Sequence, residues 1–409
     1  MADFLTAPVI IFVLTYLVVA IGEIPGLALD RTGMALLGAV AMVAFGVLDT
    51  GQAMAAMDYP TLLLLFGLMV VSSQFRLGGF YTHTALHLTR WLDQPRRFLL
   101  ALMVASAVLS ALLANDIVCL AFTPVVCVAL LKRGMNPLPF LLGLAASSNL
   151  GSAATIIGNP QNMLIGQVGQ LHFGRFLAWC MVPSALGLLA AYGVLVMLYR
   201  NRWAGSAPQS EVMADWPAYN VRQTRKAWLV TVILVGLFFT DVPRELSAMV
   251  AAGVLLCSRR LTTRSMLGLV DWHLITLFCG LFVVIRGMEV TGLPHRAVAW
   301  LSTHGVYLND PLTLTGVSVV LSNLVSNVPA SMLLIKFLDP ADPVPWYVLA
   351  VSSTFAGNLF TIGSIANLIT IEQARTFGVR ISFWEHARAG IPITLASLGV
   401  LVLWLWVMT

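Results

Sequence analysis

The sequence predicts an all-α polytopic membrane protein, with about 10 transmembrane helices and two re-entrant hairpins arranged as two inverted repeats whose broken helices meet at the midplane. Three observations carry this expectation. The chain of 409 residues is 59% hydrophobic and 10% charged, so apolar windows of spanning length recur almost throughout. Two short polar interruptions, Asn115-Asp116 and Asn327, each split an apolar stretch into a pair of runs. Three landmarks recur in the same order at nearly constant offset. They are DYPTLLLLFGLMVV from Asp58 with DWHLITLFCGLFVV from Asp271, LLANDIVCLAF with LVSNVPASMLL, and TIIGNPQNMLI from Thr155 with FTIGSIANLIT from Phe360. Such internal similarity marks a duplication.

In chain order, the first repeat covers residues 1–200. Spans fall near residues 8–28, 33–49 and 59–76, where apolar runs of roughly 17 to 25 residues are broken by polar or Pro/Gly signals. The first run is longer than the apolar region of a secretory signal and lacks a basic segment before it, so it reads as a retained helix. FYTHTALHLTRWLDQPRR mixes His83, His87, Arg90, Arg96 and Arg97 with apolar positions at helical spacing, which fits an interfacial helix. A hairpin over about 97–131, a broken helix over about 138–169 and a span near 173–199 complete the repeat. Residues 201–226 form the longest hydrophilic connection and read as a cytoplasmic linker. The second repeat, 227–409, repeats the order. It has spans near 228–240, 245–258 and 272–289, a semi-polar GLPHRAVAWLSTHG, a hairpin over about 310–338, a broken helix over about 345–371 and a last span near 387–408.

The basic residues choose between hairpins and full crossings around Asn115 and Asn327. With hairpins, each repeat has five crossings and the second is inverted. Arg175, Arg244, Arg286, Arg296 and Lys336 then share one side, and the other 18 of the 23 Lys and Arg lie opposite. The rich side is cytoplasmic by the positive-inside rule, which places both termini outside a bacterial-type inner membrane. The net charge of +5 is therefore a matter of orientation and not a sign of a nucleic-acid partner.

A hairpin tip at membrane depth leaves backbone groups without helical partners, so it survives only when buried in protein or lining a cavity. Asn115 and Asp116 suit the start of a returning half-helix, whose positive end favours an anion nearby. In the interrupted segments, Gly158, Pro160 and Gly363 let the helix break. Asn149, Thr155, Asn159 and Asn162 in the first half, and Ser326, Asn327, Asn358, Ser364 and Asn367 in the second, join Asn115 as a neutral hydrogen-bonding surface for a cargo. Small polar residues also glue helices together in lipid, but four clusters at matched positions favour a binding cavity. Asp116 is either a structural cap or a proton-coupling site. A carboxylate near the bilayer centre costs roughly 3 kcal/mol even on the lenient insertion scale, so retaining one there points to function.

The other chemistry is sparse. Cys119, Cys127, Cys180, Cys257 and Cys279 all lie in apolar runs and are odd in number, which predicts buried thiols and no disulfide framework. The chain contains no HExxH and no GxSxG, so an enzyme is not expected, and neither is a cofactor or a metal.

At the hairpins and breaks the sequence resembles the ion-transporter superfamily, which includes arsenite efflux permeases, NhaD-type sodium/proton antiporters and divalent-anion/sodium symporters. LLANDIVCLAFTPVV, TIIGNPQNMLIG, LVSNVPASMLL and FTIGSIANL resemble the arsenite-permease and related anion-permease branch most closely. In the symporters both tips carry Ser-Asn-Thr, which contributes to a sodium site. Here the triplets are Ala114-Asn115-Asp116 and Ser326-Asn327-Val328, so each keeps the Asn and loses at least one hydroxyl. The resemblance thus implies proton coupling through Asp116 in preference to sodium, a mobile hairpin-bearing region and often a homodimer. The function expected is secondary active transport of a small oxyanion or metalloid, with arsenite or antimonite efflux first. Uptake of sulfate, phosphate or a dicarboxylate is the alternative, and a passive channel the third reading.

Overall fold

The computed structural model describes residues 7–22, 29–205, 216 and 218–408; the predicted first span beyond residue 22 and residues 206–215 and 217 of the predicted linker lie outside them. The first half begins with α1 (Ala7–Ile21), α2 (Arg31–Ala44) and the short α3 (Thr50–Ala55), followed by α4 (Tyr59–Leu77) and α5 (Phe80–Leu88). Two long antiparallel limbs, α6 (Pro95–Leu112) and α7 (Asn115–Lys132), come next, then α8 (Leu138–Ser152), α9 (Pro160–Val168) and α10 (Phe173–Leu198). The second half runs α11 (Val221–Leu237), α12 (Arg244–Leu256), the short α13 (Thr263–Leu267), α14 (Trp272–Glu289) and α15 (Leu293–Thr303). It ends with α16 (Pro311–Val325), α17 (Asn327–Leu334), α18 (Pro343–Ala356), α19 (Ile365–Thr376) and α20 (Phe383–Met408). No β-strand occurs among the described residues. Six of these helices, α4, α6, α7, α10, α14 and α20, are long and apolar enough to cross a bilayer unaided.

The echoes in the sequence become echoes in local structure. Asp58 accepts a hydrogen bond from the Thr61 amide at 2.8 Å and caps α4, while Asp271 accepts from the Leu274 amide at 2.9 Å and caps α14. A capping carboxylate satisfies one of the orphaned amides of the first turn and suits the positive end of the helix dipole. Past these helices, Gly79 and Gly292 adopt φ of 69° and 68°, a left-handed turn that glycine enters without a Cβ clash, and redirect the chain into α5 and α15.

Packing is reciprocal between the halves. In α4, a Cβ on Gly67 would fall 2.7 Å from the Ala248 carbonyl of α12; in α14, one on Gly280 would fall 2.6 Å from the Ala35 carbonyl carbon of α2. Small residues allow this backbone approach, which is how helices gain contact area where lipid provides no hydrophobic drive. Between α10 and α20, Trp179 stands against Trp404, with ring centroids 6.3 Å apart, and Gly187 lies against Ser397, so these two helices run antiparallel.

The hairpins are unequal. Both limbs of the first have 18 residues, about 27 Å at the α-helical rise, whereas those of the second have 15 and 8 before a 3-10 turn over Ile335–Phe337. The helix breaks lie at residues 153–159 and 357–364, inside the two segments read as interrupted. All five cysteines are free; Cys119, Cys127 and Cys180 are buried, whereas Cys257 is exposed because it lies just beyond the end of α12.

Candidate functional site

Each helix break is held by the same device. The Asn162 side-chain amide donates to the carbonyls of Ser152 and Thr155 at 3.3 and 3.0 Å. Asn367 donates to Gly357 and Phe360 at 2.7 and 3.2 Å, with the same sequence spacings. Carbonyls freed where a helix stops in the interior cost free energy unless a donor meets them, and these amides supply it. Beyond each break the next helix is capped from its own sequence: Asn159 accepts from the Asn162 amide at 2.8 Å, and Ser364 accepts from the Ala366 amide at 3.2 Å. Gly158 permits the first break, because a Cβ there would collide with the Ser152 carbonyl.

The two breaks are joined across the centre. Asn159 donates to Thr354 at 3.2 Å, and Ser364 donates to Asn149 at 2.8 Å. Asn149 also donates to the side-chain oxygens of Asn358, at 2.8 Å, and Asn367, at 3.3 Å. Every residue of this lattice is buried and none carries a charge.

The hairpin tips dock on the same lattice. Ser148, beside Asn149, donates to the Asn115 carbonyl at 3.1 Å and pairs with Ser110 of α6 at 3.0 Å. Thr155 donates to the Ala111 carbonyl at the end of α6. On the opposite tip, the end of the Asn327 side-chain amide lies 3.0 and 3.1 Å from the carbonyls of Ser353 and Gly363, an arrangement that is satisfied when its nitrogen faces them. Ser326 turns the chain between α16 and α17 with φ 75° and ψ 159°, a region that only glycine enters freely. The sequence-derived residues therefore converge: Asn115, Asn149, Thr155, Asn159, Asn162, Ser326, Asn327, Asn358, Ser364 and Asn367 all belong to the tips and breaks.

Their work divides. Asn162 and Asn367 spend their amide hydrogens on the backbone and act as staples. Asn115 Oδ1 and Asn358 Nδ2 are buried without a hydrogen-bond partner, an acceptor and a donor left open at the site. Asp116 lies in the first turn of α7 and is half-buried, and it shares its electrostatic surroundings with Asp271, the cap of α14.

Thr354, one of the polar groups that the interrupted stretch from Ser352 offers in the sequence, receives Asn159 and also Gln161, at 3.2 Å. Two neighbours escaped the sequence reading. Asn323 of α16 donates to the Ala356 carbonyl at 3.1 Å, and its Oδ1 is unpartnered. His386 of α20 is buried with Nε2 3.2 Å from the Asn358 carbonyl. Asn323 stands one turn before the recognised tip, but its counterpart in the first half is Ala111, so the repeat gives it no mark. His386 follows Glu385 just ahead of the predicted last span, and no local pattern marks it.

A family model described as CitMHS, citrate transporter, matches residues 16–356. The chain belongs to that family. It is a membrane transporter of the ion-transporter superfamily that its tips and breaks resemble. An uncharacterised transporter of Mycobacterium tuberculosis is 29% identical to it, with 97% of each chain covered. The silicon efflux transporter LSI3 of Oryza sativa subsp. japonica is also 29% identical, over 92% of this chain and 93% of its own. A putative transporter arsB of Dictyostelium discoideum is 23% identical, over 90% and 86%. Among solved structures, the Alcanivorax borkumensis YdaH transporter has the same fold, with a TM-score of 0.59, 14% identity and 98% of each chain covered.

Proposed function

We propose that this transporter exports a small, weakly acidic oxo-acid of the arsenite or antimonite kind, driven by inward movement of protons through Asp116. The observation that carries the reading is a set of open atoms, Asn115 Oδ1 and Asn358 Nδ2 together with Asn162 Oδ1 and Asn323 Oδ1, in a buried lattice of amides and hydroxyls with no fixed cation. Arsenous acid is uncharged at neutral pH, and each of its hydroxyls both donates and accepts, so it can complete an open acceptor and an open donor together. A buried polar atom without a partner costs about 1–3 kcal/mol, and a cargo that meets two of them gains that much in affinity. The name of one relative, the silicon efflux transporter, agrees in chemistry: silicic acid, the form of silicon in water, is like arsenous acid a small neutral hydroxide.

Proton coupling is supported by what meets the carbonyls at the breaks. Amide nitrogens of Asn162 and Asn367 point at them, where a hard cation would need oxygen ligands left free. Asp116 is the one acid within the hairpin tips. The inverted arrangement of the repeats, 1–200 and 227–409 about a cytoplasmic linker, draws support from the antiparallel run of α10 against α20 and from the reciprocal pairs Asn159–Thr354 and Asn149–Ser364. A two-fold axis lying across the helices accounts for both.

A second reading, anion uptake, is favoured by one feature. Helices α7, α9, α17 and α19 all begin at the tips and breaks, and their positive ends suit sulfate, phosphate or citrate. Counterflow in proteoliposomes separates the readings, with arsenite, antimonite, silicate, sulfate, phosphate and citrate offered in turn and pH and sodium gradients varied separately. Accumulation of arsenite that follows the pH gradient and collapses with a protonophore is expected. Flux of the anions alone would transfer the function to uptake, and flux indifferent to every gradient would make the protein a channel.

A further inference from the structure

We infer that a pocket between the start of α6 and the end of α10 binds a phosphate-bearing anion, held as the headgroup of an anionic phospholipid. The cavity, about 370 Å³, is lined by Gln94, Pro95, Arg96, Arg97, Arg200 and Trp203. Three guanidinium-bearing residues thus share one concave site, and no acid lines it. Arginine is the side chain best shaped for this ligand, because its planar fork meets phosphate oxygens in pairs and is more weakly hydrated than an ammonium.

The walls are built and not merely collected. The Asn136 amide donates to the Trp203 carbonyl at 2.9 Å, the Asn136 side chain donates to the Arg202 carbonyl at 3.1 Å, and the Gly205 amide donates to the Gly134 carbonyl at 3.1 Å. Trp203 also packs on Phe140, with centroids 5.6 Å apart, which fixes its indole as a floor. Across the cavity, Tyr192 of α10 donates its hydroxyl to the Arg96 carbonyl at 3.2 Å and ties the start of α6 to α10. The nearby acid Asp93 is occupied by Arg133 at 2.7 Å, so it does not neutralise the three arginines.

Depth selects the source of the phosphate. Both α6 and α10 are long and apolar enough to cross the bilayer, and the pocket lies where one begins and the other ends. Headgroups occupy that level. Proline, tryptophan and the arginine stems give the site an apolar body under a charged rim, as a glycerophosphate group with attached chains requires.

The test uses the purified full-length protein in a neutral detergent, with melting temperature followed while cardiolipin, phosphatidylcholine or inorganic phosphate is added at equal phosphate concentration. Cardiolipin is expected to raise the melting temperature in a manner that weakens with added salt, and phosphatidylcholine to leave it unchanged. In the triple variant R96Q/R97Q/R200Q the apparent cardiolipin affinity should fall about a hundredfold, taking roughly a factor of five for each arginine at the membrane surface. An equal response to inorganic phosphate would keep the site and assign it to a free anion. If the triple variant does not fold, R96K/R97K/R200K keeps the charge and loses the paired geometry, and should bind more weakly than the native protein. Cardiolipin binding that is indifferent to salt, or equal in the native and substituted proteins, overturns the inference.

Discussion

Asn162 and Asn367 perform one structural act twice: each reaches back over its own helix break and donates to the carbonyls seven and ten residues earlier. The two breaks therefore match at the level of individual hydrogen bonds, where each needs support most. Replacing either residue with alanine removes the side-chain donor from a buried carbonyl, Ser152 at the first break or Gly357 at the second, and we expect a loss of about 1–3 kcal/mol of stability in each case. Thermal unfolding in detergent checks this. Stability unchanged in both variants, with cargo binding lost, would make them ligands of the cargo and not staples.

Asn149 is the junction of the lattice, bonded to Ser364, Asn358 and Asn367 of the other half. Asn149→Ala should therefore be more damaging than Thr354→Val, because Thr354 only receives Asn159 and Gln161 across that boundary. A double-mutant cycle between Asn149→Ala and Ser364→Ala should give a coupling of about 0.5–3 kcal/mol, as groups in one network do. Additive effects would mean that the two breaks do not support each other.

Much of this was legible in the sequence because lipid makes the code strict. An apolar run can hide a polar residue only at a cost, so Asn115, Asn149 and Asn327 stood out, and Gly158 and Pro160 marked the first break directly. The division of labour among those residues was not legible. Nothing in the sequence separates Asn162, whose amide hydrogens are spent on the backbone, from Asn358, whose amide nitrogen is open, because the difference lies in where each side chain points after folding. His386 was missed for a related reason: its burial depends on α20 packing against the second break, where Gly390 lies against the Asn358 carbonyl.

The second tip carries strain that the first avoids. Ser326 sits at φ 75° and ψ 159°, whereas Ala114 at the matching place has φ −59° and ψ 123°. A residue with a Cβ pays of order 1–3 kcal/mol there, so Ser326→Gly should raise the melting temperature, while Ala114→Gly should not. A lower melting temperature for Ser326→Gly would show that its side chain contributes more than its backbone costs.

Glycine is required unequally at the two breaks. A Cβ on Gly158 collides with the Ser152 backbone, which Asn162 in turn holds, so neither side can yield. A Cβ on Gly363 would meet Asn323 Oδ1 at 3.0 Å and the Gly357 backbone at 3.2 Å, and a side-chain oxygen can move aside. Gly158→Ala should cost more than about 3 kcal/mol and abolish surface expression, while Gly363→Ala should fold and transport at reduced rate. Expression and flux measured together decide this, and equal tolerance at both positions would refute the ranking.

Asp116 separates a carrier that exchanges from one that concentrates. Asn is close in shape to a protonated Asp and is neutral at every pH, so Asp116→Asn mimics one of the two states the proposed cycle visits. Cargo can still bind and cross in that state, and exchange of labelled for unlabelled arsenite should continue. Accumulation against a gradient should disappear, because no proton is taken up on one side and released on the other. Asp271→Asn provides the control: that residue caps α14 by accepting from Leu274, an act asparagine also performs, so the variant should fold and keep gradient-driven flux within about threefold. Accumulation that survives in Asp116→Asn and still collapses with a protonophore would move the coupling site elsewhere, and the buried His386 beside Asn358 would then be the titratable group to replace next.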